Sequence, residues 1–301
     1  MRRDPAKLGG ALMPRIGLSE IRRRFTMGQP TGRQLDKLED LKNYLRRLRS
    51  VAVAFSGGVD STFLLKVAAE ALEERAIAVT AESPFFPMRE SDEARAFCRA
   101  QGIRQFICEL KVLEITEIAS NPKNRCYFCK KEIFRQILDV AQENKMECVI
   151  EGSNMDDDGD YRPGLRAVAE LGIKSPLKIC GLSKADIRVL SQYLGLPTWE
   201  KPSFACLASR FVYGEQITQE KLKMVERAEQ LLFDLGFRQF RVRIHGRMAR
   251  IEVEPREFMR VMEDTVRGEI TEKFREYGFT YTSLDLCGYR LGSMNEELWN
   301  H

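Results

Sequence analysis

The sequence predicts an α/β protein, with a doubly wound parallel sheet followed by a smaller α+β C-terminal unit. Three observations predict it. Between residues 51 and 195, apolar runs of strand length alternate with amphipathic stretches of about 10–15 residues, the signature of strands joined by crossover helices. Residues 51–62 read VAVAFSGGVDST, a buried strand running into a Gly-rich turn and then a helix. From about residue 215 the order becomes helix, two strands, helix and strand, which suggests a small, mostly antiparallel sheet.

Taken in order, residues 1–33 are basic and short of core residues (MRRDPAKLGG, then IRRRF), which reads as a disordered extension with Met27 as an alternative start. Helical patterning begins near Leu35. The strand at 51 enters the turn, and the helix FLLKVAAEALEE opens near Thr62. Strand AIAVTAE (76–82), helix Arg89–Gln101 and strand QFICEL (105–110) follow. A loop through NPKNRCYFCK leads into the helix KEIFRQILDVAQEN, and then comes strand ECVIEG (147–152). Ser183 and Asp186 form a capping-box-like start for ADIRVLSQYLG, which stops at Gly195 before Pro197. Beyond 215, a helix over 218–235 precedes strands RQFRVRIH and MARIEVE, joined near Gly246–Arg247; a helix over 256–277 and strand TYTSLDL complete the unit. The expected organisation is an extension (1–33), a sheet domain (34–214) and a small αββαβ domain (215–301).

A chain of 301 residues can bury roughly three quarters of its unfolded surface. Its 48 basic and 44 acidic residues leave a net charge of +4, too slight to argue for a nucleic-acid polyanion as partner. No apolar stretch approaches the roughly 18 residues of a membrane span. The N-terminal segment has no continuous apolar region of the secretory kind. Eight cysteines in that context point to a reducing cytoplasm, where metal or catalytic roles outrank disulfides.

The turn at 56–62 is an anion site in prospect. Gly57 and Gly58 carry no Cβ, so the backbone can turn sharply and present its N–H groups to phosphate oxygens. Ser56, Ser61 and Thr62 add hydroxyls, and the following helix points its positive end at the same place. Asp60 makes sense there if Mg²⁺ bridges it to phosphate. The pattern lacks the lysine of G-x-x-x-x-G-K-[ST] and is not G-x-G-x-x-G. A ligand-free strand–helix turn is the bland alternative. In such sheets ligands sit at the carboxyl ends of the strands, which also brings in the segment after Gly152.

Cys126 and Cys129 stand as C-x-x-C immediately before a predicted helix, and Cys206 lies in KPSFACLASR. The helix N-terminus with Arg125, Lys130 and Lys131 should lower their thiol pKa values. The C-x-x-C alone fits a redox pair, half of a zinc site or two ordinary thiols. Zinc wants a fourth ligand, for which His245 and Cys180 are weak candidates. Three thiolates would leave one iron of a 4Fe–4S cluster open to an exogenous ligand. Cys98, Cys108, Cys148, Cys180 and Cys287 read mostly as core thiols.

Segment 151–167 packs Asp156, Asp157, Asp158 and Asp160 into one loop, either solvated or overhanging a ligand as a mobile lid; Asn154 and Arg162 are the better candidates for ligand contact. In the last unit Arg241 and Arg243 alternate with core residues, opposite Glu252 and Glu254. They read equally as a surface ladder of ion pairs or as arginines gripping a substrate phosphate, held by the glutamates.

The phrase SGGVDS resembles the PP-loop ATP pyrophosphatases, which cut ATP between α- and β-phosphates and attach AMP to an acceptor oxygen. Together with RCYFCK, EGSNMDDDGDYRPG, WEKPSFACLASR and the basic C-terminal strands, the chain over roughly 35–300 resembles the LarE family. These are ATP-dependent sulfur transferases of nickel-pincer cofactor synthesis. The resemblance implies a PP-loop domain for ATP and a C-terminal domain for substrate phosphate and homo-oligomerisation, acting on pyridinium-3,5-dicarboxylic acid mononucleotide. AMP would be transferred to a carboxylate and displaced by sulfur from an unknown donor. Ser56, Gly57, Gly58, Asp60, Ser61 and Thr62, with Gly152 and Asn154, would hold ATP and Mg²⁺. Cys206 matches the sulfur-bearing cysteine, Arg210 would sit beside it, and Arg241 and Arg243 fall where a phosphate site is expected. Members that sacrifice a cysteine need only position 206. The added Cys126 and Cys129 resemble the branch that holds a 4Fe–4S cluster. The rivals are a PP-loop tRNA thiolase, which would need a broad basic surface, an ammonia-using synthetase, which leaves the cysteines unexplained, and a non-catalytic nucleotide sensor.

Overall fold

The computed structural model describes residues 28–157, 163–202, 205–290 and 292–295. Most of the expected extension lies outside them. Helix α1 (Gly32–Leu48) starts three residues before Leu35, because Thr31 and Gln34 form a capping box that satisfies the first amides. Its Leu38, Leu41, Leu45 and Leu48 form the buried stripe.

Four strands follow: β1 (Val51–Ala54), β2 (Ala76–Glu82), β3 (Gln105–Glu109) and β4 (Cys148–Ile150). They make one parallel sheet in the order β3-β2-β1-β4. Between them run α2 (Val59–Leu72), α3 (Met88–Gln101) and α4 (Arg125–Glu143); α5 (Pro163–Glu170) and α6 (Lys184–Tyr193) come after β4. Period-two alternation sends Val51 and Val53 to one face, packed with α1, α2, α3 and α6. Ala52, Ile77 and Val79 face the other way, onto α4 and Val168 of α5. Both faces are therefore covered, which is why the strands read as continuous apolar runs. The order turns back between β1 and β4, and the carboxyl ends of these two strands define a crevice there.

The second sheet holds β5 (Phe240–His245), β6 (Met248–Val253) and β7 (Tyr281–Leu284), preceded by α7 (Gln219–Asp234). The expectation of a mostly antiparallel sheet is corrected. β5 and β6 are antiparallel across the Gly246–Arg247 turn, but β6 and β7 are parallel, because α8 (Asp264–Tyr277) lies between them as a crossover. The expected helix over 256–277 is also broken. Glu263 takes extended angles (φ −56°, ψ 134°), separating a short helix at Phe258–Met262 from α8.

One apolar cluster joins the two parts of the chain, running from Phe85, Leu110, Ile118 and Leu207 to Val225, Leu232, Val242 and Phe274. Polar contacts between α3 and α7 reinforce it: the Met88 N–H donates to Glu226, and Arg89 reaches Gln230 while lying over the Phe233 ring.

Candidate active site

The turn between β1 and α2 is held by its own hydroxyls. Ser61 Oγ takes the Ser56 N–H at 3.3 Å, stands 3.1 Å from Ser56 Oγ and donates to the Gly58 carbonyl. Gly57 adopts φ +71°, and a Cβ there would meet Ala94 Cβ and the Glu90 carbonyl at 3.3 Å. Gly58 is the N-cap, not a residue near Thr62 as expected, so α2 opens three residues earlier and no side chain caps it. Its positive end is thereby left to an anion. Thr62 is buried, and its hydroxyl has no hydrogen-bond partner among the described residues.

Asp60, in the first turn of α2, is paired with Lys184 Nζ at 2.5 Å and receives Asn154 Nδ2 at 3.4 Å. Asn154 is buried beneath a short acidic turn in which its own N–H donates to Asp157 and its Oδ1 accepts from the Asp156 N–H. Asp156 in turn receives the Lys184 N–H. Those two aspartates therefore brace the strand end. Asp158, Asp160 and Arg162 lie outside the described residues. Gly152 is pressed onto α2: a Cβ would sit 3.1 Å from the Ser61 N and 3.3 Å from the Asp60 carbonyl carbon.

A cavity of about 400 Å³ opens over this turn. It is lined by Ser56, Gly58, Asp60 and Ser61, by Thr80 and Ala81 of β2, by Glu151 and Gly152, and by Lys130 and Cys206. The hard oxygen donors of Asp60 and the serines suit Mg²⁺, with a cation already drawn to Asp60 in the form of Lys184.

Cys126 sits in the first turn of α4 and Cys129 at the start of the second, not ahead of the helix. Between them and Cys206 lies Arg125, which is almost fully buried. Its Nη1 donates to Asn121 Oδ1 and the Ala208 carbonyl, and its Nη2 lies 3.3 Å from Cys126 Sγ. Burial works against the Arg125 charge, but Cys206, Cys126 and Cys129 together raise its pKa. The expected lowering of the thiols fails at Cys129. Burial pushes it up to about 12, outweighing Arg125 and Lys130. Lys131 points elsewhere, to Tyr127 and Glu170. The donor set is of the soft kind that a cluster takes. Among the described residues, however, no three His, Cys, Asp or Glu side chains stand at metal-holding spacing, so common ligation requires these cysteines to close in.

Arg210 lies behind Cys206. It binds Glu229 through two bonds of 2.7 and 2.9 Å and donates to the carbonyls of Ala205 and Cys206. Glu229 also accepts the Val242 N–H. Arg243 pairs with Glu252 in the same forked way, at 3.0 and 3.1 Å, and reaches the Ser209 carbonyl and Ser293 Oγ. The wet-surface ladder is thereby corrected: Arg241, Arg243 and Glu252 are buried, because the second face of this sheet is covered by the segment carrying Cys206 to Arg210. Glu254 stands apart and pairs with Arg256 at the surface. Among the described residues, the buried guanidiniums of Arg210, Arg241 and Arg243 face the buried carboxylates of Glu229 and Glu252. Burial together with Arg210 brings Arg241 down to about 10.

Sequence reasoning missed Lys184, Lys201, Glu151 and Glu229. Lys184 had a legible signal, since a cation in the first turn of a helix opposes the helix dipole and must be held by something else. Lys201 donates to the Gly57 carbonyl at 3.1 Å and to Glu90 and Glu93 at 2.6 Å each. Glu151 is buried and accepts from Ser153 and Ser175. Among the described residues no helix is long and apolar enough to cross a membrane.

No family model matches the chain. It is 43% identical over 262 residues to an uncharacterized protein of Synechocystis sp., covering 87% of this chain and 98% of the relative. It is 38% identical over 258 residues to the pyridinium-3,5-bisthiocarboxylic acid mononucleotide synthase of Lactiplantibacillus plantarum, covering 84% and 92%. A more distant likeness, 26% over 207 residues, is to one subunit of the glutamine-hydrolyzing GMP synthase of Methanococcus vannielii, covering 64% and 66%.

Proposed function

The chain belongs to the LarE family of ATP-dependent sulfur-transferring synthases, and from that premise we propose that it converts pyridinium-3,5-dicarboxylic acid mononucleotide to its thiocarboxylate form. One observation carries this reading: a single cavity is lined both by the uncapped turn at 56–61 and by Cys206. An anion-binding turn and a sulfur atom facing one space are what carboxylate activation followed by thiolation requires.

In this reading ATP lies with its adenine toward Thr80 and Ala81 and its β- and γ-phosphates on the turn. Ser56, Gly57, Gly58, Ser61 and Thr62 cradle the pyrophosphate, and Gly152 and Asn154 shape the far wall. Asp60 would hold Mg²⁺, which when bound would supply positive charge beside the pyrophosphate. A substrate carboxylate oxygen attacks the α-phosphorus, the bond to the β-phosphate oxygen breaks, and pyrophosphate leaves. Sulfur then attacks the acyl carbon and AMP departs. Buried Arg241 and the forked Arg243–Glu252 pair support a site for the substrate phosphate on this face of the second sheet.

We read Cys126, Cys129 and Cys206 as the ligands of a 4Fe–4S cluster, supported by Arg125, which contacts Cys126 Sγ and, two residues past Cys206, the Ala208 carbonyl. Such a cluster supplies an open iron that can carry a replaceable sulfide. A second reading rests on Cys206 alone lining the cavity among the three: its own sulfur is then the one transferred. Anaerobic reconstitution with iron and sulfide assays separates the two. Four irons per chain with Cys206 intact after turnover supports the cluster; iron-free protein with Cys206 converted to dehydroalanine supports sacrifice. We further take the sheet as doubly wound, residues 34–214 and 215–301 as two domains and the protein as a cytoplasmic homo-oligomer. The activity itself is tested by incubating ATP with the dicarboxylate mononucleotide and resolving the products. AMP, pyrophosphate and a thiocarboxylate are expected; ADP and phosphate would overturn the proposal.

A further inference from the structure

Lys201 ties the anion-binding turn directly to the segment bearing Cys206. Its ammonium lies 3.1 Å from the Gly57 carbonyl and 2.6 Å from both Glu90 and Glu93 of α3. The Lys201 and Glu90 side chains are each only 12% exposed. The second oxygen of Glu90 is buried with no hydrogen-bond partner among the described residues, so the lysine carries the burden of neutralising that carboxylate. Gly57 is the residue whose left-handed backbone makes the turn. Six residues on from Lys201, the Leu207 N–H donates to the Phe85 carbonyl at 2.8 Å, just ahead of α3. Lys201 is thus tied to the turn and Leu207 to its neighbouring loop, and Cys206, adjacent to Leu207, lines the cavity.

We propose that Lys201 is a positioning residue that sets the distance between Cys206 and the α-phosphate seat, so that sulfur reaches the activated carboxylate before water does. Lys201 lines the same cavity, and its role here is carried by its contacts with Gly57, Glu90 and Glu93 rather than by contact with a reacting atom. The inference rests on the reading of Cys206 as the sulfur-delivering position. Two roles separate physically. The charge of Lys201 keeps Glu90 and Glu93 from repelling ATP phosphates beside the turn. Its bond to Gly57 holds the cysteine segment in register. Loss of the first weakens ATP binding. Loss of the second leaves adenylation intact but lets water attack the acyl carbon, which returns the carboxylate and AMP without thiolation.

The test is the ratio of pyrophosphate released to thiocarboxylate formed, measured at saturating ATP with the dicarboxylate mononucleotide in full-length K201M, K201R and K201M/E90Q. K201M is expected to raise the KM for ATP and the ratio together, the ratio by at least about tenfold. K201M/E90Q removes the buried carboxylate charge and leaves only the half-exposed Glu93, so the KM for ATP should return part of the way toward wild type while the ratio stays high. K201R keeps the cation and should hold the wild-type ratio. If both variants lacking the cation lose pyrophosphate and thiocarboxylate in parallel, with the ratio unchanged, Lys201 is merely structural and the proposal is overturned. If the wild type itself releases no pyrophosphate, the parent reading falls first and this one with it.

Discussion

Arg210 and Glu229 form the pair whose disruption should cost most. Both are buried, and together they hold the carbonyls on either side of the Cys206 peptide unit. Glu229→Ala strands a buried guanidinium, and about 3–5 kcal/mol of stability should be lost in urea unfolding; a loss under about 1 kcal/mol would mean water reaches the pair. Asp60→Asn keeps the shape but removes the charge that Lys184 and the metal compete for. Pyrophosphate release should fall by roughly 100-fold or more with the thermal midpoint nearly unchanged. Arg241→Ala should raise the KM for the mononucleotide far more than that for ATP, and equal effects on both would return Arg241 to a packing role. At this scale the sequence was legible where a residue type is chemically unusual for its place, as with Asp60 in an anion turn or Cys206 in KPSFACLASR. It was mute about Glu229 and Glu151, which look like any acid on a helix face or at a strand end until burial makes them partners.

The uncapped start of α2 and the close approach of Gly152 are one device at the scale of elements. The strand end after β4 can press on the helix N-terminus only because Gly152 has no side chain. Gly152→Ala should push the Asp60–Ser61 peptide away and weaken ATP binding, seen as a raised ATP KM in the pyrophosphate assay. A silent substitution would show that the turn shifts freely. The periodicity of β1 to β4 and of the long helices was visible in the sequence, because both sheet faces are covered and the apolar runs are continuous. The direction of β7 and the break at Glu263 were not visible. Strand pairing is a long-range choice, and the residues around Glu263 lack the Gly or Pro that usually marks a helix end.

Across the whole molecule, buried thiols make stability fall in alkali. Burial pushes Cys98 up to about 12 and also raises Cys108, Cys148 and Cys180. The unfolded chain ionises these thiols near the ordinary value of about 8.5 while the folded one does not. The folded state therefore binds more protons above that pH, and stability should drop as pH climbs from about 9 toward 12. Replacing Cys98 with Ala should flatten that slope in urea titrations; an identical slope would assign it to other groups. The cluster joining the sheet region to α7 and β5 was beyond sequence reasoning, since an apolar residue does not announce which core it enters. That same packing brings the phosphate turn and the cysteine into one cavity, on which the functional account depends. The most direct measurement is therefore the fate of isotope. The dicarboxylate mononucleotide, labelled with ¹⁸O in its carboxylates, is turned over with unlabelled ATP. Recovery of ¹⁸O in the phosphate of AMP is the predicted result, because the carboxylate oxygen leaves with it. AMP without label, alongside thiocarboxylate, would contradict an adenylated intermediate.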